Sequence, residues 1–311
     1  MPRARRLDWL QVSAGVRAAV RRRQPVVALE SAVLTHGLPR AEKLPMARAL
    51  EDAIRRAGAT PAIVALLAGK VHIGLSAREL EALAARDDAA KCARADLGWL
   101  LAQKAAAGTT VSATIFLAAQ AGLEVAATGG IGGVHRDAAE TFDVSADLVE
   151  LTRTRVTLVC SGAKTIVDLR KTQEFLESHS VPLLGFQTRD FPGFYVRDTH
   201  LPLRAVARDL AELAAAVRAY RATGYAGAIL VLNPIPPEAA LPAGAIEPLV
   251  SQAVKLASEQ GISGAALTPF LLEALNRLSQ GATLRANKIL LRSNAELAAH
   301  LAVALAARAT G

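Results

Sequence analysis

The chain has 311 residues, 52% hydrophobic and 21% charged, which is enough apolar material for a large core and excludes intrinsic disorder. Its net charge of +8 raises a nucleic-acid reading. However, residues 1–24 hold seven arginines against the one acid Asp8, which leaves only +2 for the remainder, and aromatics are 4% of the chain, few for base stacking. The two cysteines, Cys92 and Cys160, cannot form a disulfide framework or a four-cysteine zinc site, so a reduced, cytoplasmic compartment is expected.

In chain order, the basic leading segment 1–24 gives way to a single catalytic domain expected over 25–311. A strand is predicted over 25–31, followed by a helix over 41–57 and a strand over 61–67. Helices follow over 77–86, 94–107 and 111–121, then strands over 123–128 and 155–160. A helix over 165–178, a strand over 181–186, a helix over 203–222 and a strand over 227–233 come next. Helices over 246–260, 268–279 and 293–308 complete the pattern. The strands are short, rich in Val, Ile and Leu, and lack strict alternation. Such runs separated by helices predict an α/β protein with a largely parallel sheet covered on both faces. No apolar run nears the ~18 residues that a membrane span needs, and no secretory signal is expected.

In open α/β sheets, ligands bind beyond the carboxyl ends of the strands. There the sequence places Glu30, Ser31, Thr35 and His36, then TGGIGGVHR (128–136), CSGAKT (160–165) and NPIP (233–236). Common motifs fail on these loops. The dinucleotide fingerprint counted from Gly130 needs glycine where His135 stands, and a phosphate-binding P-loop needs glycine where Ala163 precedes Lys164. The six histidines are scattered and no G-x-S-x-G elbow exists.

Lys164 follows a buried strand beside Gly162 and Ala163, at the expected start of a helix. A desolvated lysine there can attack a carbonyl as a neutral amine; alternatively its stem snorkels to solvent. Glu30 ends an apolar strand, either as a general acid or as a hydrogen-bonded anchor. Asp143 and Asp147 lie four apart. In a helix they share a face and suit Mg²⁺ or Mn²⁺ held through water; the alternative is an Asp143 N-cap with a solvated Asp147. Thr109 and Thr110 open a helix whose N-terminus suits a phosphate or is simply capped. Lys91 lies in a basic stretch, as a surface charge or a ligand.

Taken together, VALES (27–31), LTHGLPR (34–40), AGKVHIGLS (68–76), TTVSATIFLA (109–118), TGGIGGVHR (128–136), DVSADL (143–148), GAKTIVDL (162–169), FPGFY (191–195), NPIP (233–236) and LTPFLLE (267–273) closely resemble the pseudouridine-5′-phosphate glycosidases. The indigoidine synthase A-like proteins belong to the same family. The resemblance spans roughly residues 25–308. This chain departs from the usual pattern at Asp137, Ser161 and Lys288.

The resemblance implies a three-layer α/β/α fold and a homotrimer. It implies reversible cleavage of pseudouridine 5′-phosphate to uracil and ribose 5-phosphate, with Mn²⁺ or another divalent cation such as Mg²⁺. By motif match, Lys164 is the covalent lysine, Glu30 the proton donor and Asp143 the metal ligand. Lys91, Val111, Ser145, Ala146 and Asp147 match substrate-binding positions, and Thr110 joins them at the helix start. His135 and Asn287 match positions near the base. Two competing classes are a Schiff-base lyase acting on another sugar phosphate or C-nucleotide, and a nucleic-acid-associated protein using residues 1–24.

Overall fold

The computed structural model describes residues 8–307. Its strands are β1 (Leu10–Val12), β2 (Val26–Leu29), β3 (Thr60–Leu67), β4 (Lys70–Ile73), β5 (Ala90–Cys92), β6 (Ala107–Thr109), β7 (Val125–Ala127), β8 (Thr157–Cys160), β9 (Leu183–Phe186), β10 (Ala205–Ala207) and β11 (Ile229–Leu232). The helices are α1 (Ala14–Arg21), α2 (Ala32–His36), α3 (Arg40–Arg56), α4 (Ala77–Ala84), α5 (Leu97–Ala102), α6 (Val111–Gln120), α7 (Ala138–Thr141), α8 (Ala146–Leu151), α9 (Leu169–Ser178), α10 (Leu210–Ala222), α11 (Ala243–Glu259), α12 (Leu267–Leu278) and α13 (Ala282–Ala306).

The sheet order is β1-β4-β3-β2-β7-β8-β11-β9-β10, with β6 on β3 and β5 on β6. From β3 through β10 every pairing is parallel. Strands β2, β8 and β11 are buried along their whole length, as covered parallel strands must be. On one face α13 lies across β2, β7 and β8, flanked by α3 and α10; α6 packs on β2 and β3 beside α8. The α/β architecture with a mostly parallel, helix-covered sheet is as expected.

Strand β3 belongs to two sheets. Its first four residues pair in parallel with β2, while Val64–Leu67 pair antiparallel with β4. At the hand-over, the Val64 carbonyl accepts hydrogen bonds from the hydroxyls of Ser31 (2.5 Å) and Thr109 (2.7 Å). These buried hydroxyls satisfy an acceptor at the point where the ladder changes partner.

Several boundaries depart from the sequence reading. The helix expected over 94–107 is a short 3₁₀ turn and α5, and its end gives way to β6. Lys104 at φ +52° stops helical continuation. The helix over 203–222 starts only at Leu210, where Asp209 caps it; β10 precedes it. The last helix starts at Ala282 instead of 293, and its 25 residues are long and apolar enough by composition to cross a membrane. It lies inside the fold, with Ala286, Leu290, Ala298 and Leu301 in the core.

Residues 8–24 of the basic segment join the body. β1 pairs with β4, and α1, capped by Ser13, buries Val16 and Ala19 while Arg17 and Arg21 stay exposed. Arg3, Arg5 and Arg6 lie outside the described residues.

Candidate active site

The chain goes from β2 to β3 on one side of β2, and β7 lies on the other. This reversal leaves a crevice at the carboxyl ends of β2 and β7, where α/β sheets bind ligands. Glu30 directly follows β2 and Thr128 directly follows β7, and the Thr128 hydroxyl donates a short hydrogen bond to Glu30 Oε1. Lys164 comes from the loop after β8, the next strand.

A single cleft is lined by Glu30, Lys91, Lys164 and Asn287, together with His36 and Phe194. Four residues singled out in the sequence thus converge from β2, β5, the β8 loop and α13. Burial pushes the Glu30 carboxyl above its ordinary value, against the opposing pull of the Lys164 ammonium and the Thr128 hydrogen bond. Burial also holds Lys91 below the ordinary lysine range; the Lys164 charge adds to this, while Asp147, Glu30 and Asp143 oppose it.

Lys164 does not start a helix. The expected helix over 165–178 begins at Leu169, capped by Asp168. Two residues before Lys164, Gly162 turns through φ +72°, and any Cβ there would overlap the Pro192 carbonyl, so only glycine brings the loop this close. Lys164 N–H donates to the Ile131 carbonyl (3.0 Å), and Ile131 N–H donates to the Gly162 carbonyl (3.0 Å). The lysine is thereby presented by an extended, cross-linked loop. Arg136 donates to the Thr165 carbonyl (3.1 Å) and pairs with Glu247, tying α11 to the same loop.

The DVSADL segment also departs from expectation. Asp143 precedes α8, so Asp143 and Asp147 share no helical face; Ser145 is the N-cap, and Asp147 is buried instead of solvated. Each Asp147 oxygen accepts one backbone N–H, from Ser112 (2.9 Å) and from Gly132 (2.9 Å). Asp147 thus couples the start of α6 to the glycine loop after β7. Thr110 and Val111 stand at that helix start, Thr110 as its N-cap position with its hydroxyl 3.0 Å from Ser112 Oγ. Ala146 is the exposed first residue of α8.

His135 is buried, with Nε2 4.0 Å from Asp143 Oδ2, outside the cleft wall. Among the described residues no group of three or more His, Cys, Asp or Glu side chains could hold a metal ion. The donor set at Asp143 is one partly exposed carboxylate. It fits only a hard cation that keeps most of its water, as Mg²⁺ and Mn²⁺ can, and not a closed zinc site.

Sequence reasoning left His36 and Phe194 without roles. The His36 ring hydrogen-bonds to Thr35 Oγ1 through Nδ1 (2.7 Å), and burial with the nearby Lys91 and Lys43 charges favours its neutral form. Phe194, at φ +65°, packs its ring on Gly129 and Gly130; a Cβ on Gly130 would lie 2.6 Å from it. The glycine-glycine pair and FPGFY carried that signal as shape instead of chemistry.

A doubly wound sheet with a lysine and a buried carboxyl at its switch point defines an α/β protein of the enzyme type, its site beyond the strand ends. The family model for indigoidine synthase A like protein matches residues 15–304, and the chain belongs to that family. It is 46% identical over 297 residues to pseudouridine-5′-phosphate glycosidase of Caldanaerobacter subterraneus subsp. tengcongensis, covering 96% of this chain and 97% of that one. The enzyme of the same name from Jannaschia sp. is 48% identical over 281 residues, covering 90% and 93%. Among solved structures, a prealnumycin C-glycosynthase in complex with ribulose 5-phosphate superposes with TM-score 0.88 at 36% identity, covering 96% and 97% of the two chains. An indigoidine synthase A-like protein from Thermotoga maritima superposes with TM-score 0.87, also at 36% identity, covering 96% of each.

Proposed function

We propose that this chain is a pseudouridine-5′-phosphate glycosidase, which converts pseudouridine 5′-phosphate and water reversibly to uracil and ribose 5-phosphate. The observation that carries the reading is the meeting of Glu30, Lys91 and Lys164 in one cleft at the switch point, in a chain whose relatives bear that name.

The bond broken joins uracil C5 to ribose C1′, and a carbon leaving group needs more than protonation of a base nitrogen. Glu30, whose carboxyl burial pushes above its ordinary value, gives its proton to the ribose ring oxygen as the ring opens and the Lys164 amine bonds to C1′. The alkylated amine gives a proton to the Glu30 carboxylate, which can pass it on to C5, and the freed nitrogen lone pair forms C1′=N⁺ as the C1′–C5 bond breaks. Its electron pair goes to C5, which takes up a proton and leaves as uracil. Water adds to the iminium, returning the lysine amine and ribose 5-phosphate. Lys91 supplies positive charge for the phosphate, beside the start of α6, where Thr110, Val111, Ser145 and Ala146 complete the substrate contacts. Asn287 and His135 serve the base. Asp143 would hold a divalent cation such as Mn²⁺, largely through water, which supplies further charge against the phosphate. A cytoplasmic homotrimer completes the reading.

Incubation with pseudouridine 5′-phosphate and Mn²⁺, with uracil followed by chromatography, tests it. Stoichiometric uracil and ribose 5-phosphate are expected. The C-glycosynthase neighbour favours, as the second reading, a lysine-dependent enzyme acting on another C-nucleotide. Borohydride trapping of ribose 5-phosphate on the protein without any uracil release would select it.

A further inference from the structure

Asn294, on α13, is fully buried and stands behind the wall of the cleft that holds Glu30 and Lys164, yet it touches the ends of three sheet strands. Its Nδ2 donates to the carbonyls of Thr128 (2.9 Å) and Gly129 (3.1 Å), just past β7. Its Oδ1 accepts from Asn233 Nδ2 (2.9 Å), just past β11, and from the Ser161 hydroxyl (3.3 Å), just past β8. Ser161 Oγ also lies 3.1 Å from Nδ2. The two N–H donors serve the two carbonyls, so the Ser161 O–H points to Oδ1. Two donors and two lone pairs are then all used, the full capacity of one carboxamide.

What Asn294 holds is the join between the proposed acid and the proposed nucleophile. Thr128, whose carbonyl it binds, gives its hydroxyl to Glu30. Ser161, which it also binds, stands three residues before Lys164. The two loops also run together by backbone hydrogen bonds, from Ser161 N–H to the Gly129 carbonyl (2.9 Å), Ile131 N–H to the Gly162 carbonyl (3.0 Å) and Lys164 N–H to the Ile131 carbonyl (3.0 Å).

We infer that Asn294 is a positioning residue that fixes the register of the 128–131 loop against the 161–164 loop, and so the placement of Glu30 relative to Lys164. This deepens the glycosidase reading and rests on it. The carboxamide is required because it faces two carbonyls with its donors and two donors with its acceptor. An ionised carboxylate of the same shape would turn an oxygen on two carbonyl oxygens, and a hydroxyl would reach only part of the set.

The test compares the wild-type chain with Asn294→Asp and Asn294→Ser, at a temperature where circular dichroism shows each folded. Uracil release from pseudouridine 5′-phosphate gives kcat and KM. Borohydride trapping of ribose 5-phosphate gives the rate of imine formation. Near neutral pH, Asn294→Asp is expected to lose about 10²-fold in kcat and in trapping rate, with KM within about threefold. Lowering the pH protonates the introduced carboxyl, restores one donor, and should recover about fivefold relative to wild type, a pH response that loss of packing alone would not give. Asn294→Ser should lose about tenfold in kcat. Folded Asn294→Asp with kcat within about threefold of wild type overturns the inference, as does a loss carried by KM. Failure of both variants to fold assigns Asn294 to stability alone and overturns it too. Wild-type protein that releases no uracil overturns the glycosidase reading instead, and the trapping rates then judge Asn294 by themselves.

Discussion

Two carboxylates, Glu30 and Asp147, lie within electrostatic reach of the same lysine, Lys91, and meet opposite surroundings. Asp147 receives a backbone N–H on each oxygen and ties a helix start to a loop. Glu30 has the hydroxyl of Thr128 and otherwise the cleft, and burial drives it toward the protonated form. A carboxylate with both oxygens satisfied is held in its charged form, whereas a buried one with a single partner is pushed toward the neutral form. The difference comes from position: Asp147 faces the free N–H groups of α6 and a glycine loop, and Glu30 ends a strand buried on all sides.

The sharpest way to break this contrast is to remove the electrophile's partner. Lys164→Ala should abolish both uracil release and the borohydride-stable pentose-phosphate adduct, and mass spectrometry of the digested wild type should place that adduct on the peptide holding Lys164. An arginine there should do no better, because it stays charged. An adduct on Lys91 instead would reverse the roles of the two lysines. Chelation comes next: EDTA should abolish turnover and Mn²⁺ restore it, and full activity after exhaustive chelation would remove the cation from Asp143.

Glu30→Gln should lower kcat by ~10²–10⁴-fold while leaving the fold intact. The same variant carries a stability signature. The carboxyl is raised above its ordinary 4.5 in the folded chain, so the unfolded chain loses this proton first as pH rises. Glu30's contribution to folded stability is therefore fully present below 4.5 and is lost as pH climbs through the raised value. Glu30→Gln escapes that loss and should melt higher than wild type at neutral pH but not below pH 4.5. Equal melting curves across the range would mean that the glutamate is well solvated.

For Asp147 the signs should reverse. Asp147→Asn turns an amide toward one of two N–H donors and should cost about 1–3 kcal/mol of stability by urea titration, with a smaller loss of turnover than at Glu30. The smallest effect belongs to the leading segment. Replacing exposed Arg17 and Arg21 by glutamine should change turnover by less than about twofold, since solvated charges contribute little. A salt-dependent gel shift lost in that variant would instead revive the nucleic-acid reading.

The sequence made the parallel half of the molecule legible and the small antiparallel wing nearly illegible. Strands such as Thr157–Cys160 and Ile229–Leu232 are apolar on both faces, so composition alone marks them. β5 and β6 are three residues each, and β6 lies inside an alanine-rich stretch that reads as helix until Lys104 breaks it. For the site, Glu30 and Lys164 stood out by their places after apolar strands, Lys91 and Asn287 were given roles only through the family resemblance, and the structure brings all four to one cleft. The geometry around Asp143 and Asp147 was not, because four-residue spacing implies a helical face only where the helix includes both. Asn294 was invisible: a lone buried amide carries no motif, and its partners are 61 to 166 residues away in sequence.

That last helix has a consequence in time. α13 follows every strand in the chain, yet it lies across β2, β7 and β8 and carries Asn287 into the cleft. Because synthesis runs from the N-terminus, β2, β7 and β8 are made before the helix that covers them. Closure of this face of the core, and the arrival of Asn287 at the cleft, therefore wait on α13, the last element to be made among the described residues.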